Sequence, residues 1–264
     1  MDKLTSILAV VEDATPGSLL VVDKAVWLAR QFGARLELLA AETRLLPLLS
    51  ARCAGLSHDR VTLGCLVGRD EPPHRSLLRH VQVHAPDLLI KAPTGERVDC
   101  RIARECPAPL LLAGPVPWRD PARIAAAVDV SDPDSARAAR AVLQAAGFLA
   151  LGCAGDLDIL YGEREREDEP LRMERAVRLA QLVREFRVGC ERIQMFDGAP
   201  EDCLPRLISA RRYDLLVVAL CPSCLGTRLA EVTEGDVLVA KSDGGERHAA
   251  RGLDSRLEKA LHQG

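Results

Sequence analysis

The chain has 264 residues, of which 48% are apolar, with a formal net charge of −3. That length suits two ordinary domains, and the composition excludes a disordered or fibrous protein. The small net charge offers no broad basic field to a nucleic-acid backbone, and two Trp, two Tyr and four Phe leave little to stack on bases.

Taken in chain order, Ile7 to Val11 is a buried strand that runs into Glu12 and Asp13. The run is too short for a membrane helix, no later run approaches the roughly 20 apolar residues one needs, and no cleavage-site pattern follows. Ser18 is placed to cap a helix that aligns Leu19, Val22, Val26 and Ala29, and Gly33 ends it. Arg35 to Ala41 is the next strand and Val61 to Gly68 the third. A proline-started helix follows from Pro72, with His80 and His84 four apart on one face. The intervening Val81-Gln82-Val83 lacks the glutamate of a His-Glu-x-x-His zinc site, so the two histidines read as a rim pair at the surface. Asp87-Leu-Leu-Ile90 is a fourth strand, Ala108 to Ala113 a fifth, and the prolines of Gly114 to Pro121 mark a linker.

The same grammar then recurs. Ile124 to Val128 is a strand ending in Asp129, which stands 117 positions after Glu12 (129 − 12). Ser131 to Ser135 is a turn and cap, and Ala136, Ala139, Leu143 and Ala146 line a helix. Asp156 to Tyr161 and Arg192 to Gly198 are strands, and the charged run Glu163 to Pro170 reads as a solvated loop and helix entry. Asp214-Leu-Leu-Val217 matches Asp87-Leu-Leu-Ile90 at an offset of 127 (214 − 87), and Gly235 to Ala240 matches Ala108 to Ala113. Leu253, Leu257 and Leu261 are spaced for a short amphipathic helix in the tail.

Strands alternating with helices imply a parallel, doubly wound sheet in each copy, with ligand clefts outside the carboxyl ends of the strands. The expected division is a first α/β domain over 1–116, a second over 117–245 and a tail over 246–264. Nine cysteines without a disulfide-framework spacing fit a reducing compartment, which places the chain in the cytoplasm.

The order, spacing and duplication of these pieces resemble the universal stress protein family in its tandem form. The residues that carry the likeness are Ile7 to Ser18, Ile124 to Ser135, the two Asp-Leu-Leu strands and Cys106-Pro-Ala-Pro-Leu-Leu-Leu-Ala113. The resemblance implies a five-stranded parallel sheet of Rossmann-like type, related to the adenine nucleotide alpha hydrolases. It also implies pairing through the last strand, which a tandem chain would make internally.

Some members bind ATP or AMP through an acid after strand one and a Gly-x-x-Gly-x9-Gly-[Ser/Thr] loop after strand four. Here Asp129 matches the acid and Glu12 is a longer substitute. The loop is eroded in both copies. Lys91 to Cys100 holds one glycine, and Ala219 to Thr227 keeps only Gly226-Thr227 of the closing pair. The candidate ligand residues are therefore Asp129, Ser131, Gly226, Thr227 and Glu12, with ATP or AMP confined to the second copy and no cofactor otherwise expected.

Cys221-Pro-Ser-Cys224 opens a helix, where a lowered thiol pKa would make a redox pair, two further ligands would make a zinc site, and neither would leave two core cysteines. No nucleophile with a positioned base, Walker loop or dinucleotide fingerprint is present. The reading is a ligand-responsive or scaffolding stress regulator rather than an enzyme, partnered by a small molecule, another protein or a second copy, and not by nucleic acid. The alternatives are a nucleotide-binding member with weak ATPase activity and a thiol sensor using Cys221 and Cys224.

Overall fold

The computed structural model describes residues 1, 3–53, 56–57, 60–66, 72–131, 135–163, 169–186, 192–221 and 224–242. The expected tail helix, most of the charged run after Glu163, and Pro222-Ser223 lie outside them.

The first half runs β1 (Ser6–Val11), α1 (Pro16–Phe32), β2 (Arg35–Ala40), a 3-10 turn (Thr43–Leu45) leading into α2 (Leu46–Arg52), β3 (Val61–Cys65), α3 (Pro73–His84), β4 (Leu88–Lys91), α4 (Glu96–Glu105) and β5 (Leu110–Leu112). The second half runs β6 (Arg123–Val128), α5 (Ser135–Gly152), β7 (Asp156–Glu163), α6 (Glu169–Phe186), β8 (Arg192–Asp197), α7 (Pro200–Arg211), β9 (Leu215–Ala219), α8 (Leu225–Val232) and β10 (Asp236–Ala240).

All ten strands join one sheet in the order β3-β2-β1-β4-β5-β10-β9-β6-β7-β8. Every neighbouring pair is parallel except β5 and β10, which run antiparallel with Leu111 opposite Leu238. Read inward from either edge, the order is the same, so the seam between β5 and β10 carries an approximate twofold axis. The last strand of each half is thus spent on the other, as the resemblance implied.

Successive strand residues point to opposite faces, and each face is covered by helices. Ile7, Ala9 and Val11 pack with helices α1 and α5 on one side. Leu8 and Val10 pack with α3, α4, α7 and α8 on the other. Both apolar layers draw residues from both halves, so the core continues across the seam.

Helix α1 is capped by Thr15 rather than by Ser18. The Thr15 hydroxyl accepts the Ser18 N–H at 3.3 Å, and Pro16 begins the helix. The cap shifts because proline has no N–H and its fixed φ suits the first helical position. Gly33 closes the helix as foreseen, at φ 65.

The repeated Asp-Leu-Leu motif has a structural task. Asp87 Oδ2 accepts the backbone N–H of Thr5 at 2.8 Å and of Ser6 at 3.1 Å, pinning the start of β1 beside β4. Asp214 does the same for β6, accepting the Arg123 N–H at 2.7 Å and the Arg119 guanidinium at 3.1 Å.

A buried polar cluster closes the seam. Asp236, on β10, accepts Lys24 Nζ of α1 at 2.5 Å, the Gly114 N–H at 2.8 Å and the Trp118 indole N–H at 2.8 Å. Lys24 Nζ also donates to the Gly114 carbonyl at 2.7 Å, and Trp118 meets Trp27 edge to face. Burial pushes the Asp236 carboxyl up to about 6, against the pull of Lys24 and the two N–H donors. The folded chain then holds this proton at pH values where the unfolded chain has lost it. Its contribution to stability is present in full below about pH 4 and is lost as pH rises through about 6.

Replacing Lys24 by Met leaves Asp236 buried without its counter-ion. Urea unfolding should show a loss of about 3 to 5 kcal/mol near pH 7. The loss should shrink near pH 5, where Asp236 takes up a proton; an equal loss at both pH values contradicts the assignment.

Candidate functional site

In parallel α/β sheets the open ground lies beyond the carboxyl ends of the strands, where helix N-termini also point. The two halves treat that ground differently.

In the second half it forms a cleft of about 330 Å³ at the ends of β6, β7, β8 and β9. That volume is near the lower end of the roughly 300 to 1,000 Å³ usual for small-molecule pockets. Its floor and walls are apolar, including Val128, Ala138, Val142, Phe196, Leu204 and Val218. Four polar groups stand around them: Asp129, Ser131, Arg175 and Glu201. Asp129 is exposed, and its Oδ1 accepts the Ser131 N–H at 2.8 Å, which fixes the turn after β6. Arg178, one turn beyond Arg175 on α6, donates to the Val130 carbonyl at 2.7 Å and braces the same turn.

The cleft therefore brings together Asp129 and Ser131 of the expected residues, and Cys221 lies on its wall. Gly226 and Thr227 do not line it. Gly226 faces β9 and β10 so closely that a Cβ would sit 2.8 Å from both Val218 and Val239, so its small size serves helix packing. Thr227 is buried, and its hydroxyl donates to the Cys224 carbonyl at 2.9 Å. Both residues border a crevice of about 10 Å³, room for little more than one water. In this structure the two residues pack α8 rather than line the cleft.

The first half shows a different solution. Lys91 ends β4 and is 1% exposed; its Nζ lies 2.6 Å from Asp99 Oδ1. The same ammonium donates to the Ala92 carbonyl at 2.6 Å and the Thr94 hydroxyl at 2.8 Å. Asp99, in the first turns of α4, folds its other oxygen back onto the backbone N–H groups of Thr94 at 2.8 Å and Gly95 at 3.2 Å. Those are the loop amides that would meet an anion at a helix N-terminus. An internal carboxylate holds them instead, and a buried lysine neutralises it. Glu12 stands at the edge of this cluster, with Oε1 3.9 Å from Lys91 Nζ. Burial raises its carboxyl pKa; Lys91 opposes the rise, and Asp99 and Asp13 add to it.

The cysteine expectation also changes. Cys224 begins α8 in a left-handed conformation (φ 52) and is disulfide-bonded to Cys100 of α4, with Cα atoms 5.7 Å apart. The bond crosses the seam between the halves. Its sequence separation of 124 explains why no local spacing announced it. Cys221, the expected partner of Cys224, instead accepts the Leu225 N–H on its sulfur at 3.4 Å. Cys53, Cys106 and Cys153 are buried core residues, and burial pushes the Cys153 thiol up to about 12.

The sequence reading missed Arg175, Phe196, Glu201, Lys91 and Asp99. Lys91 carried a signal, since a charge ending a strand of Leu and Ile is out of place unless it is paired.

Protein-family models give no match to this chain, and no curated protein sequence matches it. Solved structures do. A protein assigned as a universal stress protein from Pseudomonas aeruginosa UCBPP-PA14 superposes with TM-score 0.73 at 19% identity, over 94% of this chain and 97% of its own. A protein of unknown function from Pseudomonas aeruginosa PAO1 gives 0.72 at 19% identity, over 96% and 98%. A universal stress protein from Archaeoglobus fulgidus DSM 4304 gives 0.57 at 13% identity, over 89% and 96%. At these identities the likeness is one of fold, and the chain has the α/β fold of the universal stress proteins.

Proposed function

We propose that this chain is a universal-stress-type regulator with two domains, over 1–116 and 117–245, that responds to a small molecule held in the second. The observation that carries this reading is the contrast between the halves. One presents an apolar cleft ringed by Asp129, Ser131, Arg175 and Glu201. The other has turned its loop amides onto Asp99. The ligand chemistry that fits is a largely flat or apolar body with one anionic group for Arg175 and one donor for Asp129 or Glu201. Without a glycine-rich loop, a triphosphate finds no cradle of backbone amides, so the ATP site is degenerate in both halves. No helix among the described residues is long and apolar enough to cross a membrane, in keeping with the cytoplasmic reading.

Native mass spectrometry of the purified chain should show one small molecule per chain, and Ala138→Trp, which fills the cleft from α5, should abolish it. ATP titrated into the wild type should release no heat. Saturable ATP binding that Ala138→Trp removes would instead establish the nucleotide-binding alternative. In the first half, Lys91→Met should cost about 3 to 5 kcal/mol in denaturant unfolding, because it strands the buried Asp99 charge. A neutral substitution would show that the cluster is not the closed, desolvated unit described above.

A second reading, thiol sensing, is favoured by the Cys100–Cys224 bond. In a reducing compartment such bonds are usually transient and redox-responsive. A peroxide takes two electrons and two protons from the two thiols, leaving as water, and the halves become covalently locked through α4 and α8. Mild peroxide treatment followed by non-reducing digestion should yield the peptide linking Cys100 to Cys224, absent in Cys100→Ser. Recovery of a Cys221–Cys224 link in the wild type would restore the local pair in its place.

A further inference from the structure

We propose that Glu37, His80 and His84 form a binding site for a divalent first-row transition-metal ion of the zinc class, separate from the second-half cleft. His80 and His84 stand one turn apart on α3, and their rings are stacked with centroids 4.0 Å apart and planes 11° apart. Glu37 lies on β2 between Leu8 of β1 and Thr62 of β3. It is the one charge along Leu36 to Ala40, in a strand otherwise built for burial.

The three residues converge. His80 Nε2 is 3.0 Å from Glu37 Oε1, and His84 Nδ1 is 4.0 Å from Glu37 Oε2. One ligand atom from each residue lies within 4.8 Å of the others. Donor atoms around a tetrahedral ion, with bonds of ~2.0 to 2.2 Å, sit roughly 3.4 Å apart. The observed separations bracket that value, so an ion is admitted by movements of under about an ångström.

Three further features favour a ligand set over a plain ion pair. His80 Nε2 is buried and makes no hydrogen bond among the described residues, despite its closeness to the carboxylate. The stacked, nearly parallel rings hold both imidazoles together on one face of α3 beside the carboxylate. His84 is also the last residue of α3, where unsatisfied helix carbonyls favour a positive charge. Two imidazoles and a carboxylate suit zinc, cobalt or nickel and leave a position for water. The sequence supplied the i, i+4 histidines but not the acid, because Glu37 lies 43 residues before His80 (80 − 37) and reaches it only through the sheet.

The test is titration of the full-length, tag-free, chelator-treated chain with cobalt(II) chloride, followed by zinc(II) chloride displacement. One cobalt per chain should bind with visible d–d absorption and without a near-ultraviolet thiolate band, and zinc should abolish the signal and raise the melting temperature. Glu37→Gln and His84→Gln, both near-isosteric at partly exposed positions, should each weaken binding at least ~10-fold, the lower bound for losing even an outer-shell partner. A thiolate band, unsaturable binding, or affinity unchanged in both variants overturns the site and leaves a surface His–Glu pair.

Discussion

The whole arrangement depends on burying β5 against β10. Each half of the sheet ends in a short, fully buried strand that would otherwise be an open edge. Pairing them satisfies both edges at once, but it also buries whatever polar groups lie beside the seam. Asp236 is the costly one, and its three bonds from Lys24, Gly114 and Trp118 explain why α1 and the 113–122 connector sit where they do. The ion pair is therefore less a source of net stability than a condition on geometry. Only one placement of α1 over the seam supplies Lys24 to that carboxylate, and any other leaves a buried charge alone.

Once the seam fixes the sheet, the two strand-end grounds can differ without disturbing the frame. The second half keeps its ground open with small residues, among them Ala127, Ala138, Ala139 and Gly162. The first half closes its own with a short loop, across which Lys91 of β4 and Asp99 of α4 neutralise each other at 1% side-chain exposure. The division is physical, since backbone amides that already hold an internal carboxylate have no reason to release it for a ligand. Glu12 remains at this closed site without loop amides to work with, whereas Asp129 borders open space.

The frame was legible because its causes are local. Apolar runs of strand length, helical spacing and punctuating Gly and Pro residues gave the strand and helix order from Ile7 to Ala240, and the Asp-Leu-Leu motif marked equivalent strands. Even there the motif's purpose, holding the preceding strand's N–H groups, needed the sheet order to become visible. The site was less legible. Gly226-Thr227 resembled a phosphate-binding ending, yet glycine also serves where a helix must touch a sheet, and sequence alone does not separate those uses. Cys100 with Cys224, Glu37 with His80, and Lys24 with Asp236 are pairings made by topology across long separations. No periodicity encodes them; the only local hint is a charge standing where an apolar residue belongs.

The central claim is that one strand-end site is open to a ligand and the other is closed by its own carboxylate. A high-resolution crystal structure of the chain, purified without added nucleotide, tests this most directly. The account predicts ordered small-molecule density between Asp129, Arg175 and Phe196, with Asp99 still bonded to the Thr94 and Gly95 amides. Density for an anion on those two amides, with Asp99 turned away and the second-half cleft holding only solvent, would contradict it.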